Sequence, residues 1–159
     1  MPTTASHLFK PSIARRVQLD SFVSVARGAI AVAPPPLAWP AKDPRDVLDY
    51  QLDIALAVAG NDGDVIASID ITISPGLPGD LTLVSTQADG NSAVLWLAGG
   101  QAGTVYTVTA DIGTVNGRNI QRSVLLPVLP LSNLAVPATA LLTDAGLIIT
   151  DQNGNPVLS

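Results

Sequence analysis

The stretch Leu48–Val58, with the sequence LDYQLDIALAV, decides the fold class of this chain. Its even-numbered positions are all apolar or aromatic, whereas the odd-numbered positions begin with Asp49, Gln51 and Asp53. Alternation with a period of two is typical of a strand that buries one face. The stretch therefore predicts a half-buried β-strand.

Similar strand patterns follow along the chain, and turn residues separate them. Asn61–Asp64 is rich in turn formers, and Asn116-Gly117 is a strong hairpin signal. The further predicted strands are Val65–Ile73, the short edge strand Leu81–Ser85, Ala93–Ala98, Thr104–Ile112 and Ile120–Val128. About six or seven strands, with turns every 8–12 residues or so, predict an all-β fold, an immunoglobulin-like β-sandwich.

The distribution of charge divides the chain into three predicted parts. Residues 1–36 form an N-terminal arm with four basic residues and one Asp. Residues 37–128 form the β-sandwich and contain four basic residues and ten Asp. Residues 129–159 contain two Asp and are predicted to be a C-terminal β-hairpin or connector segment. The triplet Pro34–Pro36 favours a stiff extended segment and marks the boundary after the arm.

A basic arm beside an acidic sandwich leaves two interpretations open. The arm lies on a neighbouring copy or another acidic protein, or it is a solvated terminus. Under the first interpretation Arg15, Arg16 and Arg27 are interface candidates. We also expect residues 37–128 to stay folded when the arm is removed.

The overall composition favours a protein that works inside an assembly. Charged residues make up 13% of the chain and hydrophobic residues 47%, against a usual charged share of about 25%. A surface with so few charges exposes apolar area, which commonly marks contact sites.

The predicted strand Ala93–Ala98 is apolar on both faces. Leu95 and Leu97 face the core, so either another element covers Val94 and Trp96 or Trp96 anchors an interface. Trp39 and Val94 are further interface candidates.

The stretch Trp96–Val108, WLAGGQAGTVYTV, contains a glycine cluster that resembles a phosphate loop only superficially. A phosphate loop needs a Lys after its last glycine and a helix behind it, whereas β-formers follow here. Gly99, Gly100 and Gly103 are therefore predicted to turn one strand into the next with positive φ angles. Tyr106 is either a tyrosine corner or a plain core aromatic.

No catalytic, metal-binding or cofactor-binding constellation emerges from the sequence. The chain has one His, His7, and no Cys, which argues against a catalytic triad or a zinc site. Asp49 and Asp53 would lie about 13 Å apart on one strand face, too far for a glycosidase pair. Asp62 and Asp64 fit a turn better than a calcium loop.

Nucleic-acid and membrane association also have little support. The four basic residues of the arm are not interleaved with aromatic residues, and the rest of the chain is acidic, so attraction to phosphate would be weak. Residues 123–143 carry no charge, but three prolines would interrupt any membrane-spanning helix there. We expect neither a nucleic-acid partner nor a membrane partner.

Blocks of sequence between residues 39 and 126 together resemble the bacteriophage fibre-to-tail adaptor family. The blocks occur in the expected order and are Trp39–Pro44, Val47–Tyr50, Gly63–Ser68, Val94–Gly100, Gly103–Val108, Gly117–Arg118 and Arg122–Leu125. The arm lies outside the resemblance, and the link of residues 74–80 is elaborated. Each block is weak by itself, but the ordered set is specific.

The resemblance implies a non-enzymatic virion protein with an immunoglobulin-like fold. It would join tail or neck components to fibres, be assembled in the host cytoplasm, and have other phage structural proteins as partners. We expect it to form a homo-oligomeric ring. A capsid or tail decoration protein and a carbohydrate-binding host-recognition module are the alternatives. The position in the particle, the copy number and the fibre partner are left open.

Overall fold

A computed structural model describes residues 10–20, 27–28, 30, 33–132, 141, 149 and 157. His7 and most of the predicted C-terminal segment 129–159 lie outside the described residues. Three backbone hydrogen bonds link the isolated C-terminal positions. The amides of Leu141, Ile149 and Val157 donate to the carbonyls of Val157, Leu141 and Ile149, respectively, at 2.8–2.9 Å.

The described part of the chain is built from strands and one short 3-10 turn. The turn spans Ile13–Arg15. The strands are β1 Arg16–Gln18, β2 Leu37–Ala38, β3 Val47–Asp53, β4 Ile66–Ser74, β5 Leu81–Asp89, β6 Ser92–Gly99, β7 Thr104–Thr114 and β8 Asn119–Val128. The fold is therefore all-β, as the sequence predicts.

The strands form two mixed four-stranded sheets that enclose the core. Sheet A has the order β1-β3-β6-β5, and sheet B has the order β2-β8-β7-β4. The two short strands pair in parallel with β3 and β8, whereas all other pairs are antiparallel. Buried residues of both sheets belong to one hydrophobic cluster. The two sheets therefore pack face to face as a sandwich.

Strand β7 shows how the alternating pattern creates this core. Tyr106, Val108, Ala110 and Ile112 are all fully buried, while the residues between them are partly buried. Successive side chains of a strand point to opposite faces, so the apolar set of β7 covers sheet A. Polar residues such as Thr109 occupy the outer face.

The six predicted strand segments correspond to β3–β8, and their ends agree within two residues except at the C-terminal ends of β3 and β5. Strand β3 ends at Asp53 rather than at residue 58, because a series of turns follows Ile54. Within these turns the amide of Val58 donates to the carbonyl of Ile54 (3.2 Å). Strand β5 continues to Asp89, four residues past its predicted end. Strand β1 has three residues and strand β2 has two, so both are too short to show an alternation in sequence.

Candidate interaction surfaces

The described section of the N-terminal arm, residues 10–20, docks onto the same chain. Strand β1 pairs with β3, with Val17 opposite Leu52. The amide of Leu19 donates to the carbonyl of Asp53 (2.8 Å), and the Leu19 side chain is fully buried in the core. Strand β1 is therefore the edge of sheet A, and Leu19 contributes to the core.

Charge complementarity holds this section in place. The Arg15 guanidinium donates to Asp49 Oδ1 (2.6 Å) and to the Asp49 carbonyl (2.7 Å), and Arg16 forms an ion pair with Asp53. The amide of Ser12 donates to Asp49 Oδ2 (2.7 Å). Burial alone would raise the pKa of Asp49, but the bonds from Ser12 and Arg15 outweigh it and lower the pKa. The arm thus holds the Asp49 carboxylate ionised.

The arm lies on the same face of sheet A as Val94 and Trp96 of β6. Val94 lies opposite Gln51 and Trp96 opposite Asp49 in the β3–β6 register. Gln51 Nε2 donates to the Ser12 carbonyl (2.9 Å), so the chain around Ser12 crosses the outer face of sheet A at this level. Val94 is 2% exposed, and Trp96 is partly buried.

The structure places Trp39 in the core instead of on the surface. Its side chain is 3% exposed, and its ring centroid lies 5.1 Å from that of Tyr50. Its indole Nε1 donates to the Gln51 carbonyl (3.3 Å). The ring therefore has almost no area to offer a partner.

Of the predicted interface residues, Arg15 and Arg16 bind the same chain and Arg27 is exposed.

The glycine cluster forms the connection between β6 and β7. Gly99, Gly100 and Gly103 have φ angles of 73°, 98° and 84°, a region that favours glycine. At Gly100 an added Cβ would lie 2.9 Å from Val128 Cγ2 and 3.2 Å from Tyr106 Cε2. Gly100 is therefore required both for its backbone angle and for close packing.

The Tyr106 hydroxyl links this connection to the loop before β5. It donates to Asp80 Oδ1 (2.7 Å) and accepts from the amide of Gln101 (2.9 Å). Asp80 Oδ2 accepts from the amide of Leu77 (2.7 Å). Burial raises the pKa of Tyr106, so the hydroxyl keeps its proton for the bond to Asp80. The tyrosine thereby ties together two loops at one end of the sandwich.

Sequence reasoning missed Lys42, which is fully buried. Its Nζ donates to the carbonyls of Asp43 and Gly99, both at 2.7 Å. Burial lowers the pKa of Lys42, and the nearby Asp46 and Asp43 oppose that shift. The ammonium group thus binds the glycine connection to the start of the sandwich. A single Lys in a loop has no periodic signal that would indicate burial.

Asp43 lines an open polar pocket of about 340 Å³ together with Arg45 and Ser132. Its carboxylate accepts from the amides of Arg45 (2.9 Å) and Ser132 (2.8 Å). These bonds lower its pKa. Pro44 and Pro130 complete the lining. The carboxylate therefore holds two loops together.

The predicted hairpin turn at Asn116-Gly117 joins β7 to β8. The amide of Gly117, with φ 85°, donates to the Thr114 carbonyl (3.0 Å). Asp64 accepts from the amide of Asn116 (3.0 Å) and forms an ion pair with Arg118. Burial would raise the pKa of Asp64, but these bonds lower it. The carboxylate thus anchors the hairpin, and within the described residues no cluster of three or more candidate metal ligands occurs.

Strand β5 is the other edge of sheet A and is exposed over most of its length. Only Leu81 of its nine residues is buried, and Val84 is 60% exposed. Asp89 is its only charged residue. Natural sheet edges are commonly protected by charged residues or proline, and β5 has neither before its last residue.

A family model described as "Podophage GP4 fiber-tail adaptor protein gp77" matches residues 42–127. The chain belongs to this family. The matched region begins at Lys42 and ends at Pro127, and these two residues are joined by a backbone hydrogen bond of 3.0 Å. It contains the glycine connection and Tyr106 but not the arm. The search of curated proteins found no match.

Membership of the adaptor family identifies the chain as a phage structural protein and a virion component. The suspected resemblance to fibre-to-tail adaptors is thus confirmed. No helix among the described residues is long and apolar enough to cross a membrane.

Proposed function

We propose that this adaptor joins tail or neck components to fibres and works in several copies arranged as a ring. The family match over residues 42–127 carries the proposal. The low charge content of the chain supports it, because such a surface is suited to burial between subunits. The proposed partners are other phage tail, neck and fibre proteins, and the function involves no catalysis.

We further propose that the sandwich is immunoglobulin-like. In such domains the strands A, B, E and D form one sheet and C, F and G the other. In strand order, β1-β3-β6-β5 corresponds to A-B-E-D, with β1 parallel to β3. The order β8-β7-β4 corresponds to G-F-C, with the short β2 added beside β8. Tyr106 then lies on strand F, and its bond to the amide of Gln101 is the type of contact that a tyrosine corner makes.

Two residues of the predicted interface set are proposed to meet partners in the particle. Arg27 is exposed and is a basic residue on an otherwise acidic protein. Trp96 is partly buried on the outer face of sheet A, and aromatic residues are enriched at interfaces. We propose that both lie at contacts with neighbouring virion proteins.

The proposed function is tested in phage particles that lack this chain. A nonsense mutation in its gene should give particles with filled heads and without fibres, and the gene supplied in trans should restore the fibres. Electron microscopy of wild-type particles should show its density between tail and fibre. Particles with a normal number of fibres would refute the joining role, and density scattered over the capsid would indicate decoration instead.

A further inference from the structure

We propose that the arm section of residues 10–20 is exchanged between copies, so that the arm of one adaptor docks on the next. The docking site, here called the clasp, consists of the edge of β3 that pairs with β1, together with Asp49, Gln51 and Asp53. The proposal rests on the multi-copy assembly of the proposed function, and it names the second copy's arm as the occupant.

The clasp is incomplete without an arm. Asp49, Gln51 and Asp53 are 6%, 7% and 3% exposed, and the arm provides partners for all three. A buried carboxylate that loses its cationic partner is strongly destabilising. Leu19 of the arm also fills part of the core. Every copy therefore needs a docked arm, but nothing in these contacts requires that the arm and the clasp belong to the same copy.

The connection between arm and sandwich is much longer than docking on the same copy needs. Asp20, at the end of the arm section, accepts two hydrogen bonds from Arg122 of β8 (2.6 and 3.1 Å). Leu37, where the chain resumes pairing, lies opposite Val124 of the same strand. These anchor points on β8 are two residues apart, about 7 Å. The intervening residues 21–36 span about 55 Å when extended.

The described residues of this connection do not pack on the sandwich. Arg27, Gly28 and residues 33–36 are exposed, and Ile30 is 89% exposed. Ile30 is a large apolar side chain, and packing on the sandwich would bury it. The length and the exposure together allow the arm to reach a neighbouring copy.

Exchange preserves every contact of the docked arm, because the same residues meet in the same geometry. What differs is the connection, whose closure entropy changes only slowly with its length. In an assembled ring the neighbouring clasp is held at a high effective concentration. Exchange of identical elements is a low-cost way to link subunits. The opposite charges of arm and sandwich direct the arm to a clasp.

Disulfide trapping tests the exchange in the assembled full-length protein. Val17→Cys and Leu52→Cys place thiols at directly paired positions of β1 and β3, and both ion pairs are kept. The chain has no native Cys, so any disulfide is the engineered one. After oxidation of the oligomer, a non-reducing denaturing gel should show a ladder of covalent multimers. Each single variant, as a control, should run as a monomer or at most a dimer.

A disulfide found only within single chains of an intact oligomer would overturn the exchange. That result would leave the adaptor function standing, since fibre attachment is measured separately in phage particles. A protein that stays monomeric at assembly concentrations would overturn the exchange as well. The joining role and the exchange can therefore fail independently.

Charge reversal provides a second test if the cysteine pair impairs folding. Chains with Arg15→Asp or with Asp49→Arg each have like charges at the clasp. When the two chains are co-expressed, arms exchanged between them place opposite charges at each clasp. The midpoint of unfolding, which each substitution alone lowers, should then return most of the way to the wild-type value. The doubly substituted single chain is the control that recovers in either arrangement. No recovery in the mixture, with recovery in this control, would refute the exchange.

Discussion

At the scale of single residues, Gly100 occupies a position where both the backbone and the space exclude a side chain. Its φ of 98° favours glycine, and the side chains of Val128 and Tyr106 lie in the path of a Cβ. Gly103 in the same connection shares the positive φ but has open space around it. A comparison of alanine substitutions at Gly100 and Gly103 therefore separates the cost of backbone strain from the cost of a steric clash.

Gly100→Ala should lower the free energy of unfolding by about 2–4 kcal/mol, because strain and overpacking add. Gly103→Ala, the matched control, should cost about 1 kcal/mol from strain alone. Urea unfolding followed by tryptophan fluorescence measures both. Equal losses at the two positions would contradict the packing role of Gly100.

The two tyrosine hydroxyls give a second comparison between residues. Tyr106→Phe removes the bonds to Asp80 and to the amide of Gln101 and should cost about 1–3 kcal/mol, since a buried carboxylate loses a donor. The Tyr50 hydroxyl is buried without a hydrogen-bond partner in the described structure. Tyr50→Phe should therefore leave the urea midpoint unchanged or raise it. A larger loss at Tyr50 than at Tyr106 would overturn this assignment.

At the scale of elements, the arm forms one edge of the sandwich, whereas the charge pattern predicted only an attraction between the two. The basic arm and acidic sandwich predict an attraction, and the structure directs it to Asp49 and Asp53 of β3. On sheet B, by contrast, Asp70 and Asp111 face each other across β4 and β7. Like charges in directly opposite positions destabilise a sheet.

Asp49→Asn should lower the free energy of unfolding by about 1–2 kcal/mol, because the bonds from Arg15 and Ser12 lose their ionic character. Asp70→Asn removes the same charge from the opposed pair and should be neutral or stabilising by a few tenths of a kcal/mol. Chemical denaturation of the two variants is the measurement. Similar effects in both would mean that net charge, and not the arm contact, is responsible.

Strand β5 should be the least protected of the long strands. It is paired on one side only, and eight of its nine residues are exposed. Local opening is easiest where few contacts must be broken. In native-state hydrogen exchange the β5 amides should exchange well before those of β6 and β7. Protection of β5 equal to that of β7 in the isolated protein would contradict this order.

At the scale of the whole molecule, buried carboxylates connect the loops and edges of the sandwich. Asp43, Asp49 and Asp64 each accept backbone hydrogen bonds and have lowered pKa values. A lowered pKa in the folded state contributes stability that is complete above the unfolded pKa and is lost as the pH falls through the folded one. The stability of the sandwich is therefore coupled to pH on the acid side.

The urea midpoint should fall steeply below about pH 4, near the ordinary pKa of Asp. The stability difference between the wild type and Asp49→Asn should shrink over the same range, because protonation removes what the substitution removes. Denaturation curves at a series of pH values between 2 and 7 or so measure both effects. A difference that stays constant with pH would show that Asp49 contributes through packing alone.

The sequence by itself determined the all-β class and the six long strands, because alternation and turn residues are local signals. It also predicted the positive φ of the glycine connection. Only the tertiary structure decided that Trp39 is core, that Lys42 is buried and that the arm docks on β3. These depend on which residues meet across the two sheets, and a short parallel strand or a lone buried charge leaves no periodic trace in the chain. Local chemistry thus determined the elements, whereas long-range contacts decided which surfaces they leave open.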